Sequence, residues 1–79
     1  MANLDVYNSI FCETFNTSVE SLNQDFSSSN VDMWDSVLQL TLVTQIEDSF
    51  DVMLEPEDII EFKSYDLGKG ILVKYGIEL

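Results

Sequence analysis

Histidine is absent from the 79 residues, and cysteine and proline occur once each, as Cys12 and Pro56. Without an imidazole the commonest general base and metal ligand is missing, and with it most familiar catalytic and zinc-site arrangements. An enzyme is therefore disfavoured, and no dedicated metal site is expected. A single cysteine cannot form an internal disulfide, so packing must supply the stability, with a reducing compartment as the expected setting. Cys12 reads as a small, partly buried helix residue rather than a reactive thiol, because no cationic residue stands near it in sequence.

Basic residues are also scarce. Three Lys face fifteen Asp plus Glu, a formal net charge of −12. Such a field repels nucleic acid and anionic membrane surfaces and makes basic proteins the natural partners. It also favours a soluble monomer. No apolar run approaches the roughly 20 residues that span a bilayer, and the start Met-Ala-Asn-Leu-Asp carries neither a basic region nor an apolar stretch. A cytoplasmic protein is expected.

The composition otherwise suits one folded domain over residues 1–79. Hydrophobic residues make up 46% and charged residues 23% of the chain, which is enough for one modest core and too little for two. From Leu4, the positions Tyr7, Phe11 and Phe15 recur at helical spacing, with Val6 and Ile10 widening the stripe, so a first helix is predicted to end near Asn16. Residues 17–34 lack a sustained period and contain Ser27-Ser28-Ser29-Asn30. They read as a long connection anchored at Val19, Leu22, Phe26 and Val31. Asp35 is a good N-cap, and Leu38, Leu42, Ile46 and Phe50, with Val43 beside them, give the strongest helical signal. Pro56 followed by Glu57-Asp58 opens a short third helix through about Phe62. Ser64 can cap a fourth helix carrying Leu67, Ile71 and Tyr75 at four-residue spacing, with Gly76 as its stop. Gly68 and Gly70 weaken that helix by about 1 kcal/mol each relative to alanine. The fold class is all-α: a four-helix bundle with a short third helix and a long loop between the first two.

One face of the second helix is left over by this core. At about 100° per residue, Val37 and Leu40 point away from the Leu38–Phe50 stripe, together with Thr41, Thr44, Glu47 and Asp48. Ser36 stands at the border of the two faces. The leftover face is a small apolar spot rimmed by acids, suited to a partner that brings Arg or Lys to the rim and covers Val37 and Leu40. Further acids crowd between Glu47 and Glu61. A calcium loop of EF-hand type needs a central glycine, and residues 47–61 contain none, so a solvated charged face is expected there.

The run Asp35-Ser36-Val37, Leu42-Val43, Ile46-Glu47-Asp48, Phe50-Asp51, Leu54-Glu55-Pro56-Glu57-Asp58 resembles the acyl carrier protein family. The match is most specific from Asp35 to Ile59. The resemblance implies a bundle of that family's type, with Ser36 esterified by a 4′-phosphopantetheine arm taken from coenzyme A. A separate phosphopantetheinyl transferase installs the arm, and Asp35 helps engage it. The arm carries acyl or aminoacyl groups as thioesters for fatty-acid, lipid or specialised-metabolite synthesis. Val37, Leu40, Thr41, Thr44, Glu47 and Asp48 would then dock onto basic patches of acyl-transferring, ligase or synthase enzymes. Ile46, Leu54, Ile59, Phe62 and Ile71 are candidate walls for a sheltered cargo, or equally the filling of a solid core. With no histidine to activate it, Ser36 is an acceptor and not a catalyst. A phosphate there would sit against the positive end of a helix dipole, which Asp35 opposes.

The chain departs from carriers of fatty-acid synthesis before and after the Asp-Ser pair. Met33-Trp34 precede it where a glycine and a small residue are general, Val37-Leu38 follow, and Thr41 and Thr44 replace an acid and a methionine. Trp34 makes the chain similar to stand-alone carriers of dedicated pathways, or else only pins the loop against the core, which is the commoner role of a tryptophan. The competing reading keeps the four helices but treats the chain as an unmodified acidic adaptor that binds basic partners through Val37 and Leu40.

Overall fold

The spacing of Tyr7, Phe11 and Phe15 becomes helix α1, Asn3–Phe15, which buries those three side chains together with Ile10. The computed structural model describes residues 2–79. Helix α1 stops where Asn16 turns left-handed at φ 52°, a conformation asparagine tolerates better than most residues, and the amides of Asn16 and Thr17 both donate to the Cys12 carbonyl.

Three further helices follow, α2 (Ser36–Phe50), α3 (Pro56–Glu61) and α4 (Tyr65–Lys74), and among the described residues the fold is all-α. Asp35 caps α2 by accepting from the Leu38 amide at 2.9 Å. Leu42, Val43 and Ile46 are buried along α2, and Leu38 and Phe50 pack half-buried at the margins of the same stripe. Asp51, at φ 54°, ends it in the same left-handed manner as Asn16 ends α1. Helix α3 begins at Pro56, as its sequence predicts. Ser64 caps α4 by accepting from Leu67 at 2.9 Å. Gly76, at φ 86°, closes α4 in a Schellman arrangement: Ile77 N–H donates to the Leu72 carbonyl and Gly76 N–H to that of Val73.

The inward face of α4 differs from the one expected. Leu67 is exposed, and the buried positions are Tyr65, Gly68, Ile71 and Leu72. Gly68 is the reason. A Cβ at this position would overlap the Tyr7 hydroxyl and the Phe62 ring, so only glycine lets α4 lie this close to α1 and to the end of α3. Gly70 faces open space, and α4 runs without interruption through both glycines.

Residues 17–34 form an ordered loop with one short 3₁₀ turn, Val19–Ser21. Phe26 and Trp34 are its buried anchors, and Leu22 and Val31 are half-buried. Val19, expected to be an anchor, is half exposed because it lies in the 3₁₀ turn, where the chain reverses away from the core. The two aromatic anchors close on α1: Phe15 lies 5.2 Å from Phe26 and 4.9 Å from Trp34, centroid to centroid. The loop is also stitched to the α3–α4 connection. Ser28 N–H donates to the Lys63 carbonyl at 2.7 Å and Tyr65 N–H to the Phe26 carbonyl at 2.8 Å, making an isolated antiparallel bridge at Ser27 and Ser64.

Candidate functional site

Ser36 is the first residue of α2 and is exposed, directly after the cap that Asp35 provides. The Asp35 carboxylate is turned onto the helix end, where its Oδ1 accepts from Leu38. Beyond Ser36, the outward face is as the periodicity requires. Val37 and Leu40 are 70% and 60% exposed, and Thr41, Thr44 and Asp48 are exposed around them. The Thr41 hydroxyl donates back to the Val37 carbonyl at 3.0 Å, so its methyl is the part left to a partner.

Glu47 does not belong to that free rim. It is half-buried, and its Oε2 accepts from the Leu54 amide at 2.9 Å. The left-handed turn at Asp51 folds residues 52–55 back over the last turn of α2, and the Leu54 N–H there needs an acceptor. Glu47 supplies it and becomes a clasp of the α2–α3 loop.

Beside Ser36 opens a cleft of about 300 Å³ lined by Ser28, Trp34, Asp35, Ser36, Gln39, Ile60 and Lys63. Gln39 organises it. Its Oε1 accepts from the Trp34 indole N–H, and its Nε2 donates to the carbonyls of Ile59 at 2.8 Å and Phe62 at 2.6 Å. One amide thus ties the loop, the first turn of α2 and the end of α3. Gln39 was not singled out from sequence, although a signal existed: it lies three and four residues before Leu42 and Val43, a polar residue in the core stripe. Ser28, Ile60 and Lys63 carried no such signal, because the bridge and α3 bring them to the cleft from distant parts of the chain.

Cation placement around the site is uneven. Lys69 lies 3.9 Å from Asp66 and 4.7 Å from the Tyr65 ring centroid, and Lys74 pairs with Asp58. Among the described residues Lys63 makes no ion pair, and it is the lysine at the cleft.

The acids between Glu47 and Glu61 are exposed at Asp48, Asp51, Glu55, Glu57 and Glu61, but Asp58 departs from the solvated face expected there. It is only 5% exposed and accepts from both the Lys74 ammonium and the Tyr75 hydroxyl, which itself accepts from the Glu55 amide at 3.0 Å. These two hydrogen bonds hold the Asp58 carboxyl below the ordinary carboxylate range, and Asp58 in turn raises Lys74 and Tyr75. Burial pushes the Tyr7 phenol well up, and its hydroxyl donates to the Tyr65 carbonyl at 2.7 Å.

Of the five candidate cargo walls, Ile46, Leu54, Phe62 and Ile71 are buried in one cluster with Tyr7 and Phe11, and Ile59 packs half-buried against it. No helix is long and apolar enough to cross a membrane among the described residues. No protein-family model matches the chain, nor does any curated protein or solved structure.

Proposed function

We propose that the chain is an acyl carrier protein of the stand-alone kind, with Ser36 as the acceptor of a 4′-phosphopantetheine arm. The observation that carries this reading is the placement of Ser36: an exposed hydroxyl on the first residue of a well-capped helix, bordered on one side by an open cleft and on the other by Val37 and Leu40. The four helices with a short third helix and a long ordered first loop suit the resemblance drawn from Asp35 to Ile59.

The site has room for the group. Ser36 lines the cleft, and nothing in the first turn of α2 requires its hydroxyl as a cap, because Asp35 already fills that role. Bound there, the arm supplies a terminal thiol that holds an acyl or aminoacyl group as a thioester. The chain itself contributes position: Gln39 fixes the first turn of α2 against α3, so Ser36 is presented on a rigid frame. A phosphopantetheinyl transferase provides the base that takes the Ser36 proton as the Ser36 oxygen attacks the pantetheine-side phosphorus of coenzyme A; the bond from that phosphorus to the bridging pyrophosphate oxygen breaks, and adenosine 3′,5′-bisphosphate leaves. Val37, Leu40, Thr41, Thr44 and Asp48 form the surface read by the transferase and by acyl-handling enzymes with basic patches, and cytoplasmic synthesis of acyl-derived products is the proposed setting.

The decisive measurement is intact mass after incubation with coenzyme A and a broad-specificity transferase. Wild type should gain one phosphopantetheine and Ser36→Ala none. A wild-type mass left unchanged by several transferases would overturn the carrier reading. Equal capture of the same basic partners by unmodified wild type and Ser36→Ala would favour the adaptor instead.

A further inference from the structure

The cleft beside Ser36 holds a charge arrangement that neither the core nor the outward face of α2 requires. In a chain of net charge −12, two of the three lysines are committed to acids, Lys69 to Asp66 and Lys74 to Asp58. Lys63 lines the cleft, with Asp35 as the one acid among the lining residues. The Asp35 carboxylate already accepts from Leu38, which directs one of its oxygens toward the helix end.

Lys63 is also held in register. Its carbonyl accepts from Ser28 N–H at 2.7 Å, its own N–H donates to the Glu61 carbonyl at 2.8 Å, and the isolated bridge at Ser27 and Ser64 lies next to the Ser28–Lys63 pair. Ser28 and Lys63 are therefore fixed side by side on one rim. Trp34 and Gln39 are joined to each other, Gln39 reaches α3, and both line the cleft with Ser36. Ile60, 67% exposed on α3, adds an apolar patch between the rim and solvent. A cation and a hydroxyl on one rim, with an apolar residue next to them, match a monoanionic phosphodiester followed by a short branched aliphatic segment.

We infer that Lys63 and Ser28 seat the phosphodiester of the arm and that Ile60 covers its branched proximal carbons, so that the arm lies in the cleft between α2 and α3. The inference rests on the carrier reading of Ser36. Because Lys63 is exposed, the contact is screened, and the seat is a preferred position rather than a lock.

The experiment compares ¹⁵N–¹H amide spectra and the ³¹P resonance of the phosphodiester in wild type, Lys63→Ala and Lys63→Arg, each before and after loading by a transferase. In loaded wild type, amide shifts should extend from residues 35–37 to Ser28, Ile60 and Lys63, and the ³¹P resonance should be displaced from that of free phosphopantetheine. Lys63→Ala should load to the same mass but lose the shifts at Ser28 and Ile60 and return the ³¹P resonance toward the free value, and Lys63→Arg should keep both. Helical circular dichroism equal to wild type checks that the exposed substitution leaves the fold intact. Full loading with shifts confined to residues 35–37, or identical loaded spectra for wild type and Lys63→Ala, overturns the seat while leaving the carrier reading standing. Failure of wild type to load overturns both.

Discussion

The two glycines of α4 are separated by one residue and have opposite consequences. At Gly68, an added methyl group meets the Tyr7 hydroxyl and the Phe62 ring, and both of those side chains are fully buried. Neither can retreat without opening the core, since the Tyr7 hydroxyl is bonded to the Tyr65 carbonyl and Phe62 packs within the same cluster. Overpacking of this kind costs about 1–3 kcal/mol, more than the roughly 1 kcal/mol that alanine gains over glycine inside a helix. Gly68→Ala should therefore lower stability. Gly70 meets nothing, so Gly70→Ala should raise it by about 0.5–1 kcal/mol. Urea denaturation of both variants checks the pair, and a Gly68→Ala variant as stable as wild type would show that α4 can shift away from α1.

Between elements, the short helix α3 is fastened at each end by polar groups. At its C-terminal end Gln39 reaches the carbonyls of Ile59 and Phe62, and Asp58 binds Lys74 and Tyr75 of the α4 terminus. Helices α1 and α2 were readable from sequence because their core positions repeat without interruption, and α2 also carries its Asp35 cap. The faces of α4 were not, since a periodic apolar count places Leu67 inward, whereas the buried residue is a glycine with no side chain to count. The placement of Ser36, exposed on the first residue of α2 behind the Asp35 cap, was readable from its local run. The cleft beside it was not, because Ser28, Ile60 and Lys63 meet only through the loop bridge and the α3 fastening.

The Asp58 tie gives a pH dependence whose sign follows from the direction of its shift. Its folded-state value lies below the unfolded one of about 3.9, so the stabilisation is complete above that pH and is lost as pH falls through the depressed folded value. Lys74 and Tyr75 are raised, and their share is complete below about 10 and lost as pH rises through their folded values. At neutral pH, Asp58→Asn should lower the thermal midpoint by several degrees, and the gap to wild type should close on acidification below about 4. A gap that stays constant from neutral to acid pH would mean that Asp58 acts through packing rather than through its charge.

For the whole molecule, fold stability and the proposed recognition of a basic partner should respond to salt in opposite directions. Fifteen acids and three lysines form only two ion pairs among the described residues, so repulsion within the folded chain exceeds attraction. Expansion on unfolding relieves that repulsion, and low ionic strength should therefore destabilise the fold. With a screening length of about 10 Å at 0.1 M salt, most acid–acid separations on a domain this small become screened between roughly 0.01 and 0.3 M. The thermal midpoint should rise across that range, even though the exposed Lys69–Asp66 contact weakens, because one screened attraction is outweighed by many screened repulsions. The proposed docking of a basic partner on Val37, Leu40 and Asp48 would depend on the same field with the opposite sign. Its association rate should fall over the range in which the midpoint rises, and Asp48→Asn should flatten the salt dependence of that rate more than it lowers affinity at high salt. Measuring both curves on one preparation separates the two origins: a midpoint insensitive to salt would place the acids too far apart to repel, and an association rate insensitive to salt would leave the outward face of α2 to its apolar residues alone.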